Sequence, residues 1–404
     1  MSPRPITGGV PKARKARADS THCVHAGEER HGQKASLATD IAQTAVFILP
    51  ELETLRRISE GRDTSYTYTR YANPTTEAAE RKIAALEGGD GCVVTSSGMA
   101  AILVTVLATC RAGDEIISML DIYGGTIQLF EDVLARFGIR TRFVPYKDLG
   151  KLPRFFSKAT RMLFLETPTN PTLRCADIAK LAAIGKKRRA CVVVDNTFAT
   201  PILQKPLALG ADVVVHSATK YLGGHSDVTA GAIVGGAKFI QEARQRMLQS
   251  GASLAPLASY LLIRGLKTLE LRVERSCRSA ERIAEALRGH PKVRRVMYPG
   301  FPGSEGHEAA RRQMRDFGMM VALEMKGGGP AAERFIDRLK LWYLATSLGG
   351  VESTVSYPLL SSHLGTTRER LRLMDVSEAT VRLSVGIEDA DDLIADLRQA
   401  LMRA

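Results

Sequence analysis

The segment Asp212-Val213-Val214-Val215-His216-Ser217-Ala218-Thr219-Lys220-Tyr221-Leu222-Gly223-Gly224-His225-Ser226 decides the fold. Its three valines read as a buried strand, and the hydroxyls, lysine and glycines that follow break that pattern. The lysine therefore sits just past the carboxyl end of a strand, the side of an open α/β sheet where ligands bind. Partly desolvated there, and near other cations, its amine pKa falls and the amine becomes a nucleophile toward an aldehyde. Ser217 and Thr219 stand beside it as hydrogen-bonding groups for a phosphate. Taken alone, a Thr-Lys after a strand reads as a solvated surface pair, so the neighbouring segments carry the weight.

Upstream, Val192-Val193-Val194-Asp195-Asn196-Thr197 ends a second valine-rich strand in a carboxylate. A carboxylate in that place keeps a pyridine nitrogen protonated and the ring an electron sink; the commonplace alternative is a helix cap or a structural ion pair. Further upstream, a helix over Thr76–Leu86 stops at Gly88-Gly89, Gly91–Thr95 reads as a strand, and Ser96-Ser97-Gly98 opens an apolar helix near Met99. There the backbone N–H groups of Ser97, Gly98 and Met99 face outward at a helix start, and glycine lets a phosphate come close.

Strands are expected at Glu115–Met119, Thr141–Pro145, Arg161–Glu166, Cys191–Asp195 and Val213–His216, spaced to leave room for crossover helices. Pro256–Arg288 reads as one long helix leading away from the sheet, with a domain boundary near Ser259. Val293–Tyr298, Met319–Met325 and Val381–Val385 then read as strands among helices, an α+β pattern. The organisation expected is an amino-terminal tail and arm over 1–62, a cofactor-binding domain over 63–258 and a carboxy-terminal domain over 259–404.

The totals agree with two globular domains: 404 residues, 45% hydrophobic, too long for one compact core. The apolar run Met99–Cys110 is well short of a bilayer span. The amino terminus carries Arg4, Lys12, Arg14, Lys15 and Arg17 without the apolar stretch of a secretory signal, and reads as a mobile tail of a cytoplasmic protein. Cys23, Cys92, Cys110, Cys175, Cys191 and Cys277 are scattered, with no C-x-x-C pair and no histidine cluster, so free thiols are expected and no metal site. The net charge of +13 is spread along the chain with no basic run interleaved with aromatics, which suits anionic small molecules and not nucleic acid.

The lysine segment resembles the signature of the Cys/Met-metabolism family of pyridoxal-phosphate enzymes, which includes cystathionine γ-synthase, the cystathionine lyases, methionine γ-lyase and the O-acylhomoserine sulfhydrylases. The resemblance runs from about Thr21 to the carboxyl terminus over several separated motifs. It implies fold-type-I, aspartate-aminotransferase-like architecture with a large doubly wound domain, assembled as a homotetramer of two tight dimers. Lys220 would bond the cofactor covalently, Asp195 would face its ring nitrogen, and Ser97, Gly98, Met99, Thr197, Ser217 and Thr219 would complete its pocket.

Tyr68-Thr69-Arg70-Tyr71-Ala72-Asn73-Pro74 is similar to the family segment whose tyrosine and arginine reach the neighbouring subunit's cofactor phosphate, which makes Tyr68 and Arg70 ligands across a dimer interface. Tyr123-Gly124-Gly125-Thr126 resembles the segment whose tyrosine stacks on the ring and helps deprotonate the incoming amine. In Glu166-Thr167-Pro168-Thr169-Asn170-Pro171, Asn170 is expected near the cofactor's phenolic oxygen, and Glu166 has no assigned role. Arg382, in Val381-Arg382-Leu383-Ser384, aligns with the arginine that grips the substrate α-carboxylate.

Three positions bear on the reaction. Ser347-Leu348-Gly349-Gly350-Val351-Glu352-Ser353 resembles the γ-synthase and γ-lyase version, with Glu352 and Ser353 near the substrate side chain, and favours γ-chemistry. Gly125 stands where methionine γ-lyases usually carry cysteine. Gln128 replaces an arginine often found toward the distal end of the substrate; a neutral amide there weakens recognition of a distal carboxylate by roughly 1–3 kcal/mol. The expectation is γ-elimination or γ-replacement on cystathionine or an O-acylhomoserine. The alternatives are an O-acylhomoserine sulfhydrylase, a cystathionine β-lyase, or a scaffold that holds the cofactor without turnover.

Overall fold

The computed structural model describes residues 18–28 and 36–404; most of the basic tail expected at the amino terminus lies outside those residues. Seven strands form the large sheet: β1 Gly91–Thr95, β2 Glu115–Met119, β3 Arg140–Val144, β4 Thr160–Glu166, β5 Cys191–Asp195, β6 Val213–His216 and β7 Gly231–Gly235. Their order is β1-β7-β6-β5-β4-β2-β3. From β6 to β3 every pairing is parallel, while β7 runs antiparallel between β1 and β6.

Alternation along β6 shows why the sheet is covered on both sides. Val213 and Val215 join one apolar cluster with Phe130, Phe164 and Leu181, whereas Val214 joins another with Ile83, Leu86 and Leu262. Such a strand can be apolar throughout because neither face meets water. β7 is not apparent from the sequence, because Gly-Ala-Ile-Val-Gly lacks the β-branched density of its neighbours. Its glycine is required by space: a Cβ at Gly231 would lie 2.1 Å from the Ser97 carbonyl oxygen.

The helix Pro74–Glu87 begins two residues before the expected Thr76. Asn73 caps it by accepting from the Thr75 N–H at 3.0 Å, with Pro74 at the first helical position, the position where proline costs no hydrogen bond. The stretch expected as a single helix over Pro256–Arg288 is two helices, Pro256–Leu266 and Leu269–Leu287. The break has a visible cause. Arg272 reaches back to the Gly265 carbonyl at 2.7 Å and Thr268 N–H takes the same oxygen at 3.2 Å, so this carbonyl is removed from the helical ladder. The expected boundary near Ser259 falls inside Pro256–Leu266, which packs on Pro74–Glu87.

The second unit carries a five-stranded sheet, β8 Val293–Met297, β9 Met320–Met325, β10 Tyr343–Leu344, β11 Thr354–Ser356 and β12 Thr380–Ser384, ordered β10-β11-β12-β9-β8. One face packs on helices through Phe335, Leu383, Leu393 and Leu397. Central position in this sheet fixes β12, and with it Arg382, whose Cα pairs with Ala322 on one side and Ser356 on the other. Among the described residues no helix is long and apolar enough to cross a membrane.

Candidate active site

The carboxyl ends of β2, β4, β5 and β6 open on one side of the large sheet, and the second unit presents β12 and the loop before β11 to the same side. Lys220 lies in the turn after β6. Its Nζ donates to the Ser347 hydroxyl at 2.6 Å, and burial first, then the Arg382 guanidinium, pull its pKa down to about 8. Ser347 links the lysine turn to Arg382. Its carbonyl accepts from Arg382 Nη2 at 3.1 Å while its hydroxyl accepts from the lysine. Its φ of +81° is uncommon for a residue with a side chain, and such backbone conformations concentrate where surrounding contacts dictate them.

The loop approaches the lysine turn so closely that Gly349, at φ +78°, cannot be replaced without displacement; a Cβ there would stand 2.7 Å from the Tyr221 nitrogen. The motif in this loop points to Glu352 and Ser353 and gives no role to Ser347. The signal was a serine opening a glycine-rich segment, which does not distinguish a contact residue from a linker.

Arg382 is buried, yet among the described residues it has no carboxylate in hydrogen-bond contact. Nη1 donates to Asn170 Oδ1 at 2.8 Å, and Nε is buried without a partner. Burial lowers its pKa to about 10. Enclosing a guanidinium with only neutral acceptors is costly, and an arriving carboxylate would relieve that cost.

Asp195 is buried at the end of β5, where its Oδ1 accepts from the Thr197 N–H at 3.0 Å. The Thr197 hydroxyl in turn accepts from the Ser217 N–H at 2.8 Å, tying the ends of β5 and β6 together. Ser97 caps the helix Gly98–Thr109 through Ala100 N–H at 3.1 Å, and the first-turn N–H groups of Gly98 and Met99 have no intrahelical partner. A Cβ on Gly98 would meet Ser217 at 2.7 Å, so glycine is what lets this helix end abut the lysine turn.

Tyr123 is 43% exposed, and its N–H donates to Glu166 Oε2 at 2.9 Å. Gln128 is exposed at the end of the same short helix, Gly124–Gln128.

Two hydroxyls expected at the site have partners within the chain. Ser353, expected beside the substrate, is fully buried: its hydroxyl donates to Glu388 Oε2 at 2.8 Å and accepts from Gly386 N–H at 2.9 Å. It holds the loop instead of facing the cleft. The Thr219 hydroxyl, expected to face a phosphate, donates to the Ala230 carbonyl at 3.1 Å and accepts its N–H at 2.9 Å, so its only proton is already engaged. Glu352 is exposed, with Ser226 Oγ 3.4 Å from its Oε2.

Tyr68 and Arg70 make no hydrogen bond or ion pair with Lys220, Asp195 or Arg382 of their own chain. Arg70 donates to the Leu248 carbonyl at 2.8 Å and lies over the Tyr71 ring at 4.9 Å. They stand on an arm whose Leu37 and Ile48 are 86% and 99% exposed.

Comparison with known proteins agrees with this arrangement. Residues 20–402 match the family described as "Cys/Met metabolism PLP-dependent enzyme". L-Methionine gamma-lyase of Fusobacterium nucleatum subsp. polymorphum is 43% identical over 94% of this chain and 97% of its own length. Cystathionine gamma-synthase 1, chloroplastic, of Arabidopsis thaliana is 42% identical over 95% of this chain and 69% of its own. The crystal structure of cystathionine gamma-lyase from Lactobacillus plantarum superposes with a TM-score of 0.90 at 35% identity, covering 96% of this chain and 99% of that one.

Proposed function

We propose, from the premise that the chain belongs to the Cys/Met-metabolism family of pyridoxal-phosphate-dependent enzymes, that it cleaves or exchanges the γ-substituent of cystathionine or an O-acylhomoserine. Membership also sets aside a scaffold without turnover: this is a transsulfuration-family enzyme that uses pyridoxal phosphate. The observation that supports the γ-reaction is the loop 347–353. Ser347 touches both Lys220 and Arg382, and five residues on the same loop presents Glu352 at the exposed side, where a side chain extending from a substrate held at Arg382 would pass.

The residues fit the cofactor. An amine with lowered pKa, a buried carboxylate at the end of the neighbouring strand, a helix start abutting the lysine turn and an arginine lacking an anion are the parts it needs. Lys220 would hold its aldehyde carbon, Asp195 its ring nitrogen, and Ser97, Gly98, Met99, Thr197 and Ser217 its phosphate end, with Asn170 alongside. Bound there, pyridoxal phosphate supplies an electron sink for charge left on the substrate. Arg382 would grip the α-carboxylate through its fork, and Tyr123 would lie beside the ring and take a proton from the incoming amine. Lys220, once its amine is free, moves protons between Cα, Cβ and the leaving atom.

Tyr68 and Arg70 would serve the partner copy's phosphate, consistent with the exposed apolar arm that carries them. The assembly proposed is a homotetramer of two such dimers, working in the cytoplasm.

The name of the methionine γ-lyase relative supports a second reading, methionine as substrate. Gly125 weighs against it: a Cβ there would fall 2.5 Å from the Tyr123 ring, so the cysteine usual in those enzymes would require the tyrosine to move.

A product assay decides. Cysteine and 2-oxobutanoate from cystathionine, or a γ-exchange product from O-acylhomoserine with cysteine, is the expected result. Homocysteine with pyruvate would reassign the enzyme as a β-lyase, methanethiol from methionine as a methionine γ-lyase, and turnover confined to O-acylhomoserine with sulfide as a sulfhydrylase.

A further inference from the structure

Glu166 is a buried carboxyl group to which the reaction assigns nothing. It ends β4 and is the Cα partner of Asp195 at the end of β5, so the two side chains leave neighbouring parallel strands on the same face of the sheet. Neighbouring strands lie about 4.8 Å apart. Both residues are buried, at 4% and 8% exposure. Two carboxylates at that spacing cannot both ionise cheaply in a low-dielectric site.

Among the described residues no cation makes a hydrogen bond or ion pair with Glu166; the Arg382 charge acts on it only at longer range. The groups facing Glu166 are Asp195 on β5, Asp121 beyond β2, Tyr123 and Arg382 on β12. Arg382 gives Nη1 to Asn170 and Nη2 to the Ser347 carbonyl. Asp121 adds negative charge and is itself held by Arg174 at 3.0 Å.

We propose that the Glu166–Asp195 pair carries one proton, resident on Glu166, so that Glu166 is a neutral acid that positions Tyr123 by accepting its backbone N–H, while Asp195 remains the anion beneath the cofactor.

The direction of each group's shift agrees. Burial, and then the Asp195 charge, push Glu166 well above the ordinary glutamate range, against the opposing pull of the Tyr123 N–H and the Arg382 charge. Burial raises Asp195 as well, but its hydrogen bonds to Thr197 and the nearby His216 oppose the rise. A protonated ring nitrogen held at Asp195 favours the anion on that residue, which leaves the proton on Glu166. The Tyr123 N–H by itself favours the charged form, but the carbonyl oxygen of a protonated carboxyl still accepts it.

The inference rests on Asp195 serving the cofactor, and the test separates the two. Glu166→Gln preserves shape, neutrality and an acceptor for Tyr123. In the infrared spectrum of the full protein near neutral pH, a carboxylic-acid C=O band present in the wild type is expected to vanish in E166Q. A spectrum unchanged by the substitution would overturn the proposal.

The second readout is Tm against pH for the cofactor-loaded enzyme. A folded-state value raised above the unfolded one means that the folded chain binds the proton more tightly, so wild-type stability drains away as pH rises from about 4.3. E166Q has no such proton. Its Tm is expected to rise above the wild type's progressively with pH, the difference closing as pH falls toward the ordinary glutamate value. A flat difference would mean a Glu166 that folding does not shift, and one of opposite sign an ionised, paired Glu166; either would overturn the proposal. Asp195→Asn is the separate control: if it leaves the cofactor's visible band unmoved, the assignment of Asp195 to the ring nitrogen fails, whatever E166Q shows.

Discussion

The strand-end cluster and the extended arm of residues 36–72 are built on opposite principles. At the strand ends, Glu166, Asp195 and Arg382 are buried and their partners lie within the chain. On the arm, Leu37, Val46, Ile48 and Leu52 are exposed, although hydrogen bonds such as Thr69 N–H to the Ala45 carbonyl at 2.9 Å give it a definite shape. An ordered segment with uncovered apolar side chains is an interface waiting for its other half. The contrast separates a cluster that finds its partners within the chain from a segment whose apolar side chains do not, and it is this segment that carries the residues proposed to serve a second copy.

The largest effect expected concerns the self-contained half. Lys220→Ala should cut kcat by on the order of 10³-fold or more, since it removes the proton-transfer group; near-normal turnover would break the assignment of chemistry to this cluster. Next comes the division between the two halves. Arg70→Ala should leave the chain folded but weaken cofactor retention, and co-expression of R70A with K220A subunits should restore activity that neither homo-oligomer shows. Hybrids recover a site only if Arg70 acts in the partner copy; no recovery would place it in its own.

Arg382→Lys should raise KM through loss of the fork, by roughly 1.5–3 kcal/mol, read from the steady-state dependence on substrate concentration. The smallest effect lies in pH. With Lys220 titrating at about 8, the neutral amine that attacks the cofactor grows with pH, so reconstitution of the cofactor-free enzyme should accelerate up to that value and then level off. Below it the rate should change by about tenfold per unit; a rate indifferent to pH would show that the amine is not the limiting group.

Much of this was legible in the sequence where one residue type decides. Gly91–Thr95, Glu115–Met119, Cys191–Asp195 and Val213–His216 have the expected bounds, because β-branched runs between helical stretches leave few alternatives in a sheet covered on both faces. β7 escaped notice because its glycines answer to the neighbouring Ser97 carbonyl, a contact distant in sequence. The break after Leu266 escaped for a similar reason: helical periodicity continues through it, and Arg272 creates it from outside the local pattern. At the site, a motif identified the loop 347–353 but not its orientation, so Ser353 was expected at the substrate and Ser347 was overlooked. Which hydroxyl faces the cleft depends on Glu388, Gly386 and Lys220, none of which is near in the chain.

Arg272 has a mechanical consequence. Besides holding the Gly265 carbonyl where the two helices part, it donates to the Tyr221 carbonyl at 2.8 Å. The peptide next to Lys220 is thus bolted to the joint from which the second unit departs. Ser347 makes a second fastening between the same lysine and the sheet that carries Arg382. With two fastenings, a rotation of the second unit about that joint would load the lysine turn and the carboxylate grip together, so the distance between amine and guanidinium is the stiff dimension of the site.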